Sequence, residues 1–284
     1  MNTALKRTLL STLVVPFALG AASASAVMIT DWDYTVDSNF SSATFTNKGS
    51  ANPGTQDTSD PNVISWGGTT ATSRSSVSIT DVDSTADGSL PKLETNMGSV
   101  DGGVFTHNNN TIDLRFDTLL SFDLTSTLTL NPLLPMGVGS TEVLPPITFN
   151  SRFTETPNNP GSGTCADGLP APCGDFFTLT DIEGLGPFTG GNIPPQQFTM
   201  EGYTYSVFLE LANLMTLPDD ACTAAGANIG CVGLLTPEGG PNTFETSFRI
   251  EARPVSVPEP GTLALLGLGL AGLGLSRRKK AAKA

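Results

Sequence analysis

The chain has 284 residues and only one histidine, His107. No Gly-x-Ser-x-Gly string occurs anywhere in it. A Ser-His-Asp triad needs a positioned imidazole beside its nucleophile, and His107 lies in no nucleophile-elbow sequence, so that chemistry is hard to build here. Basic residues are also few, 14 Lys and Arg against 27 Asp and Glu. A surface of that sign repels phosphate backbones and excludes nucleic acid as a partner. Apolar spacing at the helical period is almost absent, and no internal repeat is visible. Both absences turn the reading away from helical bundles and repeat arrays. Only four cysteines are present.

What is present is concentrated first at the two ends. Lys6 and Arg7 precede an apolar stretch from Leu9 to Leu19, and small residues then run to Ala24-Ser25-Ala26. That order is a secretory signal peptide with an A-x-A cleavage site at Ala24 and Ala26. Its apolar run is too short for a permanent span, so the leader is residues 1–26 and the exported chain starts near Val27. At the other end, Val257-Pro258-Glu259-Pro260 resists helix and strand alike, because two prolines fix φ and remove two donors. An uncharged, leucine-rich stretch from Gly261 to Leu275 follows, then Arg277, Arg278, Lys279 and Lys280. As a helix this stretch would reach about 22 Å at 1.5 Å per residue. A hydrocarbon core is about 30 Å thick, so the expected transmembrane helix is a short one, helped by snorkelling of the basic cluster. That cluster places the C-terminus in the cytoplasm, and the leader places the preceding chain outside.

The segment from Val257 through Leu273, closed by Arg277-Arg278-Lys279-Lys280, resembles the PEP-CTERM sorting signal. That signal is found on exported proteins of Gram-negative bacteria that make exopolysaccharide. The resemblance implies that residues 257–284 are a sorting tail and that an exosortase processes it near Pro258-Glu259-Pro260. The chain would be the substrate of that enzyme. The inner membrane would then be a transient partner, and the destination the cell surface or an exopolysaccharide matrix.

Between the ends, residues 27–256 form the expected single exported domain. They hold 7 of the basic residues and 26 of the acidic ones. Such a charge keeps a protein soluble and monomeric; it is the ordinary solvated surface of an exported protein, with at most diffuse attraction for divalent cations. The cysteines fall in two local pairs in a chain bound for an oxidising compartment, where disulfides are the default. Four cysteines allow three pairings. Turn-rich sequence between the members favours Cys165–Cys173 and Cys222–Cys231. Zinc is disfavoured by the wide spacings and the distant histidine, and no other cofactor is expected.

Period-two alternation recurs along the domain. Trp32, Tyr34 and Val36 alternate with polar residues, as do Ile147, Phe149 and Phe153, then Tyr203 to Leu211, then Phe248, Ile250 and Ala252. Ser75 to Thr80, Ile112 to Phe116, Leu120 to Leu130 and Phe176 to Ile182 are further strand candidates. Strands separated by Gly, Pro, Asn and Ser predict an all-β fold, an antiparallel sandwich or jelly roll. Leu211 to Leu217 is the one candidate helix. Thr46 to Asn62 and Thr156 to Gly174 are expected loops, the second tied by its cysteines.

Three internal strings are candidates for function. Thr106-His107-Asn108-Asn109 resembles the Thr-His-x-Asn element that names a group of PEP-CTERM proteins, with Thr106, His107 and Asn109 in its fixed positions. The Cys-Gly-Asp-Phe-Phe run at 173–177 accompanies it. His107 is expected at a strand end or turn, closing it by hydrogen bonds to backbone; a sugar or metal site is the alternative. Asp81 to Gly88 has the look of a calcium loop, yet Ala86 stands where Gly is needed and Lys92 where a bidentate Glu is needed. Asp87-Gly88 is more simply a turn. Trp66, beside Gly67-Gly68, is the best candidate for an exposed sugar platform, since Trp32 with Tyr34 and Tyr203 with Tyr205 each share a strand face and are expected to pack. These features favour a non-enzymatic surface or matrix protein over a carbohydrate-binding module, and over a secreted hydrolase.

Overall fold

The computed structural model of the chain describes residues 26–255 apart from 71–72, 87, 89, 159–164, 167, 169–172 and 184–192, together with 267, 269 and 270. Ala24, the Val257–Pro260 motif and the basic residues Arg277 to Lys280 lie outside the described residues. So does nearly all of the expected span. Among the described residues, no helix is long and apolar enough to cross a membrane.

Among the described residues, sixteen strands and the helix α1 follow in chain order: β1 (Asp31–Phe45), β2 (Thr55–Asp60), β3 (Val63–Gly67), β4 (Arg74–Ile79), β5 (Val82–Asp83), β6 (Leu93–Glu94), β7 (Val100–Asn109), β8 (Leu119–Leu134), β9 (Glu142–Val143), β10 (Ile147–Thr154), β11 (Asp175–Glu183), β12 (Gln196–Met200), β13 (Tyr203–Leu211), β14 (Met215–Thr216), α1 (Asp219–Ala224), β15 (Val232–Thr236) and β16 (Gly240–Pro254). They make two antiparallel sheets. The larger runs β14-β15-β11-β10-β8-β1-β5, with β6 also on β1 and β9 on β8; the smaller runs β12-β13-β16-β7-β4-β3-β2. Side chains from both sheets pack into the space between them and leave an apolar cavity of about 120 Å³, lined among others by Phe122, Phe149, Val207 and Phe248; the expected all-β, antiparallel architecture is the one observed.

Alternation builds this core directly. On β1, Trp32, Tyr34, Val36, Ser38 and Phe40 are buried while their neighbours are not. Trp32 and Tyr34 enter one cluster with Tyr205 and Ile250 of the smaller sheet. Their rings meet edge to face, Trp32 on Tyr205 at 5.3 Å and Tyr34 on Phe248 at 5.0 Å, the arrangement the ring quadrupoles prefer. Two buried polar ends are satisfied, since the Trp32 indole donates to Thr95 Oγ1 at 3.0 Å and Ile29 N donates to the Tyr205 hydroxyl at 2.8 Å, whereas the Tyr34 hydroxyl has no hydrogen-bond partner. A second cluster, towards the other end of the sandwich, holds Phe40, Trp66, Phe105, Phe122, Phe153 and Phe177. A small third cluster packs Ala221 and Cys222 of α1 on Phe176, on the opposite face of β11 from Phe177.

Several local expectations are corrected. Leu211 to Leu217 is no helix: β13 ends at Leu211, Asn213 has φ +62°, and β14 follows. The helix starts instead after Pro218, whose φ of −56° suits a helix start and whose successors Asp219 and Asp220 complement the dipole. Ile112 to Phe116 is a turn, closed by Asp113, which accepts the Arg115 backbone N–H at 3.0 Å and its guanidinium as well. The predicted loop at 46–62 contains β2, a polar and exposed edge strand that discourages further pairing.

Candidate functional site

Four strands carry their inward-facing register past the aromatic cluster and out to one end of the sandwich. On β7, Phe105, His107 and Asn109 are buried in turn. On β10, Phe149, Ser151 and Phe153 are buried, and Glu155 is next on that parity. Phe177 points inward from β11, and two residues earlier stands Asp175. Leu234 and Thr236 lead out along β15 to Glu238. Strand periodicity alone therefore delivers three carboxylates and an amide to one place.

The aromatic floor is made by Trp66, His107, Phe153 and Phe177. The His107 ring stacks on Trp66 at 5.7 Å and meets Phe153 and Phe177 edge-on at 5.3 and 5.1 Å. His107 is 0 % exposed and neither ring nitrogen has a hydrogen-bond partner. Burial lowers its pKa from 6.5 to about 3. It is a neutral aromatic member of the core inside β7, rather than a polar residue closing a turn. Trp66 is likewise 0 % exposed, which corrects the sugar-platform expectation. The Gly67-Gly68 pair beside it belongs to a tight hairpin: Gly67 has φ +105°, and a Cβ there would sit 2.8 Å from the Ser73 carbonyl.

Above this floor, one carboxylate oxygen from each of Glu155, Asp175 and Glu238 lies within 4.8 Å of the others. Asp175 is fully buried; its Oδ1 accepts the Thr156 backbone N–H at 2.7 Å, and its own carbonyl accepts the Thr236 hydroxyl at 2.9 Å. Asn109, also fully buried, donates Nδ2–H to the Thr236 carbonyl at 2.9 Å. Its amide lies against the Glu238 carboxylate, and the Trp66 indole N–H lies by Glu155; each favours the ionised acid. Yet Glu155 Oε2, Asp175 Oδ2, both Glu238 carboxylate oxygens and Asn109 Oδ1 have no well-formed hydrogen bond.

The electrostatics follow from burial and like charge. Burial first, then the Glu238 charge, raises Glu155 to about 7. Burial, then Glu155, raises Asp175 well above the carboxylate range. Burial raises Glu238 too. The ion pairs among the described residues, Lys92–Asp33, Arg115–Asp113 and Arg249 with Glu210 and Glu251, all lie elsewhere. Among the described residues none of these carboxylates forms an ion pair; Lys48 is the nearby cation, and its charge favours ionised Glu155 without offsetting the burial.

Sequence reasoning missed this cluster because its members are far apart in the chain. The signal available was parity: Glu155 and Asp175 each stand one same-face step from a buried aromatic, Phe153 and Phe177, and Glu238 one such step from buried Thr236. Two strings singled out in the sequence do meet here. Asn109 ends Thr106-His107-Asn108-Asn109, with Thr106 on the opposite, half-buried face of β7. Asp175 is the centre of Cys173-Gly174-Asp175-Phe176-Phe177, and Cys173 is bonded to Cys165. A Cβ on Gly174 would approach the Thr236 carbonyl to 3.2 Å. The second disulfide, Cys222–Cys231, ties α1 to the start of β15.

The Asp81 to Gly88 string is shaped by its own hydrogen bonds. Asp83 Oδ1 accepts from the Thr85 N–H at 2.8 Å, the Thr85 hydroxyl at 2.6 Å and the Ala86 N–H at 3.2 Å, closing a turn after β5.

The class defined by these observations is a disulfide-tied, all-β domain with an acidic cluster at one end. Residues 256–279, directly beyond it, match the PEP-CTERM protein-sorting motif. The motif is a substrate signal for exosortase processing, and it implies export with membrane-associated sorting. No curated protein matches the chain.

Proposed function

We propose that the chain is an exported passenger protein, displayed at the cell surface or in an exopolysaccharide matrix, with a structural or interaction role and no catalysis. In this proposal residues 1–26 are removed at Ala24-Ser25-Ala26, residues 27–256 are the displayed domain, and residues 257–284 are the tail. An exosortase cuts that tail near Val257-Pro258-Glu259-Pro260 after Arg277 to Lys280 have halted it in the inner membrane. The observation that carries the proposal is the sorting motif at 256–279, starting two residues after β16 ends at Pro254. The domain would therefore leave the membrane with almost no linker. A carbohydrate-binding role has little platform to use, because Trp32, Tyr34, Trp66 and Tyr205 are fully buried and Tyr203 is partly buried beside Tyr205.

Intact-mass spectrometry of the protein from its native host, with and without the exosortase gene, tests this. The expected result is a chain from about Val27 to the Pro-Glu-Pro region only when the exosortase is present. Survival of the whole tail in both strains would leave a plain membrane-anchored protein and remove the sorting proposal.

A further inference from the structure

We propose that Glu155, Asp175, Glu238 and Asn109 form a binding site for a divalent cation of the calcium class, which clamps the two sheets together at this end of the sandwich. The three carboxylates supply converging oxygens within 4.8 Å of one another. The independent observation is Asn109. Its amide is fully buried, reaches the cluster at Glu238, holds the Thr236 carbonyl through Nδ2, and leaves Oδ1 with no hydrogen-bond partner. A buried amide oxygen without a donor is costly, and a bound cation is the partner that would satisfy it along with the carboxylates.

The donor set selects the ion. Every ligand atom offered is a hard oxygen, and neither Glu238 carboxylate oxygen makes a well-formed hydrogen bond, although the Asn109 amide lies against them. Calcium takes six to eight such oxygens in irregular geometry and tolerates bidentate carboxylates. Zinc prefers sulfur and imidazole; the cysteines are in disulfides and His107 is packed among aromatic rings. Glu155 and Glu238 are only partly buried, so water can complete the shell and the ion has a way in. A divalent charge would also offset the mutual repulsion of the three acids. The ligands come from the ends of β7 in the smaller sheet and of β10, β11 and β15 in the larger, so one ion would bridge both sheets. The site is independent of the sorting proposal.

The test uses the full-length chain purified in detergent, stripped with a chelator and titrated calorimetrically with calcium. One calcium per chain is expected. Glu238→Gln, at a partly exposed position, and Asp175→Asn should each weaken binding at least about tenfold. Asp83→Asn, in the turn after β5, should leave it unchanged. Terbium gives a second readout: Trp66 lies by Glu155, so indole excitation should sensitise terbium emission that calcium displaces. Trp66→Phe should remove the emission but keep the calcium heat. Absence of calcium heat in the parent chain would overturn the proposal. So would a Glu238→Gln chain that binds like the parent, a result that does not depend on whether Asp175→Asn folds.

Discussion

Cys165–Cys173 sits one residue from Gly174 and two from Asp175, so it should brace the acidic cluster as well as the fold. Cys222–Cys231 closes a loop of nearly the same length, with separation 9 against 8, and sits on the other face of β11. In the chain-entropy description each bridge removes about 8.6–9 cal/mol/K from the unfolded ensemble, or about 2.6–2.7 kcal/mol at 25 °C. Replacing either pair by alanine should therefore lower Tm by about 5–10 °C in a domain of this size, and by nearly equal amounts without calcium. The two variants should part when calcium is added. Releasing Cys173 frees backbone next to Asp175, and reordering even one residue costs about 1–2 kcal/mol, about five- to thirtyfold in calcium affinity. The calcium-dependent rise in Tm should shrink in Cys165→Ala/Cys173→Ala and persist in Cys222→Ala/Cys231→Ala. Differential scanning calorimetry at matched calcium concentrations measures both quantities. Equal calcium increments in the two variants would refute the bracing role. Unequal losses without calcium would show that the bridges act through native packing rather than loop closure.

Trp66→Ala should cost about 3–5 kcal/mol, because it opens a cavity beneath His107 and Phe153; urea denaturation measures it, and a shift under 1 kcal/mol would place the indole outside the core. His107 should not titrate: its Hε1 resonance should stay fixed from about pH 5 to pH 8 in the folded chain. Its folded pKa of about 3 lies below the unfolded value of about 6.5. The unfolded chain thus binds the extra proton, and this contribution to stability is complete above about pH 6.5 and is lost as pH falls, by up to about 1.4 kcal/mol per unit. A histidine resonance moving with a midpoint near 6.5 would contradict the burial. Gly233→Ala should cost at least about 2 kcal/mol, since its Cβ would clash with the Phe177 carbonyl oxygen and meet Leu217 Cδ1 at 2.8 Å; equilibrium unfolding reads the loss, and a neutral result would mean β11 and β15 part easily.

The strands were legible where an apolar buried face alternates strictly, as in Trp32-Tyr34-Val36 or Phe248-Ile250; β3, β7 and β15 went unassigned because Gly, Ser, Thr, His or Asn interrupts their apolar pattern. Alternation failed where composition mimicked a strand without a partner to pair with: Ile112 to Phe116 carries apolar residues, but the Asp113–Arg115 interactions turn the chain back. Polar β2 was invisible for the opposite reason, since an exposed edge strand needs no apolar face. Trp66 was misplaced because the neighbouring Gly67-Gly68 suggested exposure. Their actual role is to let the Ser73 backbone approach closely in a hairpin that holds the indole inside. The two cysteine pairings were readable from local spacing; the acidic cluster was not, because assembling it requires knowing that β7, β10, β11 and β15 end side by side.

That common end gives the two singled-out strings a shared physical meaning. In Thr-His-x-Asn the spacing of two between His107 and Asn109 places both on the inner face of β7, one stacked in the aromatic floor and the other at the acids above it. In Cys-Gly-Asp-Phe-Phe the same period separates Phe177 in the floor from Asp175 above it. Phe176 points to the other face, and Gly174 lets the strand pass the Thr236 carbonyl. Thr236 then joins them, accepting from Asn109 through its carbonyl and donating to the Asp175 carbonyl through its hydroxyl. Apolar rings stabilise the interior of the sandwich, but at its rim the two sheets meet through polar groups whose net contribution is small unless every partner is present. A cation held by Asp175, Glu155, Glu238 and Asn109 would complete that set. The double variant Asn109→Ala/Asp175→Asn should therefore lose less calcium-dependent stability than the sum of the single variants, because both side chains serve the same ion. Full additivity in calorimetric melts at saturating calcium would mean that the two strings only share a location.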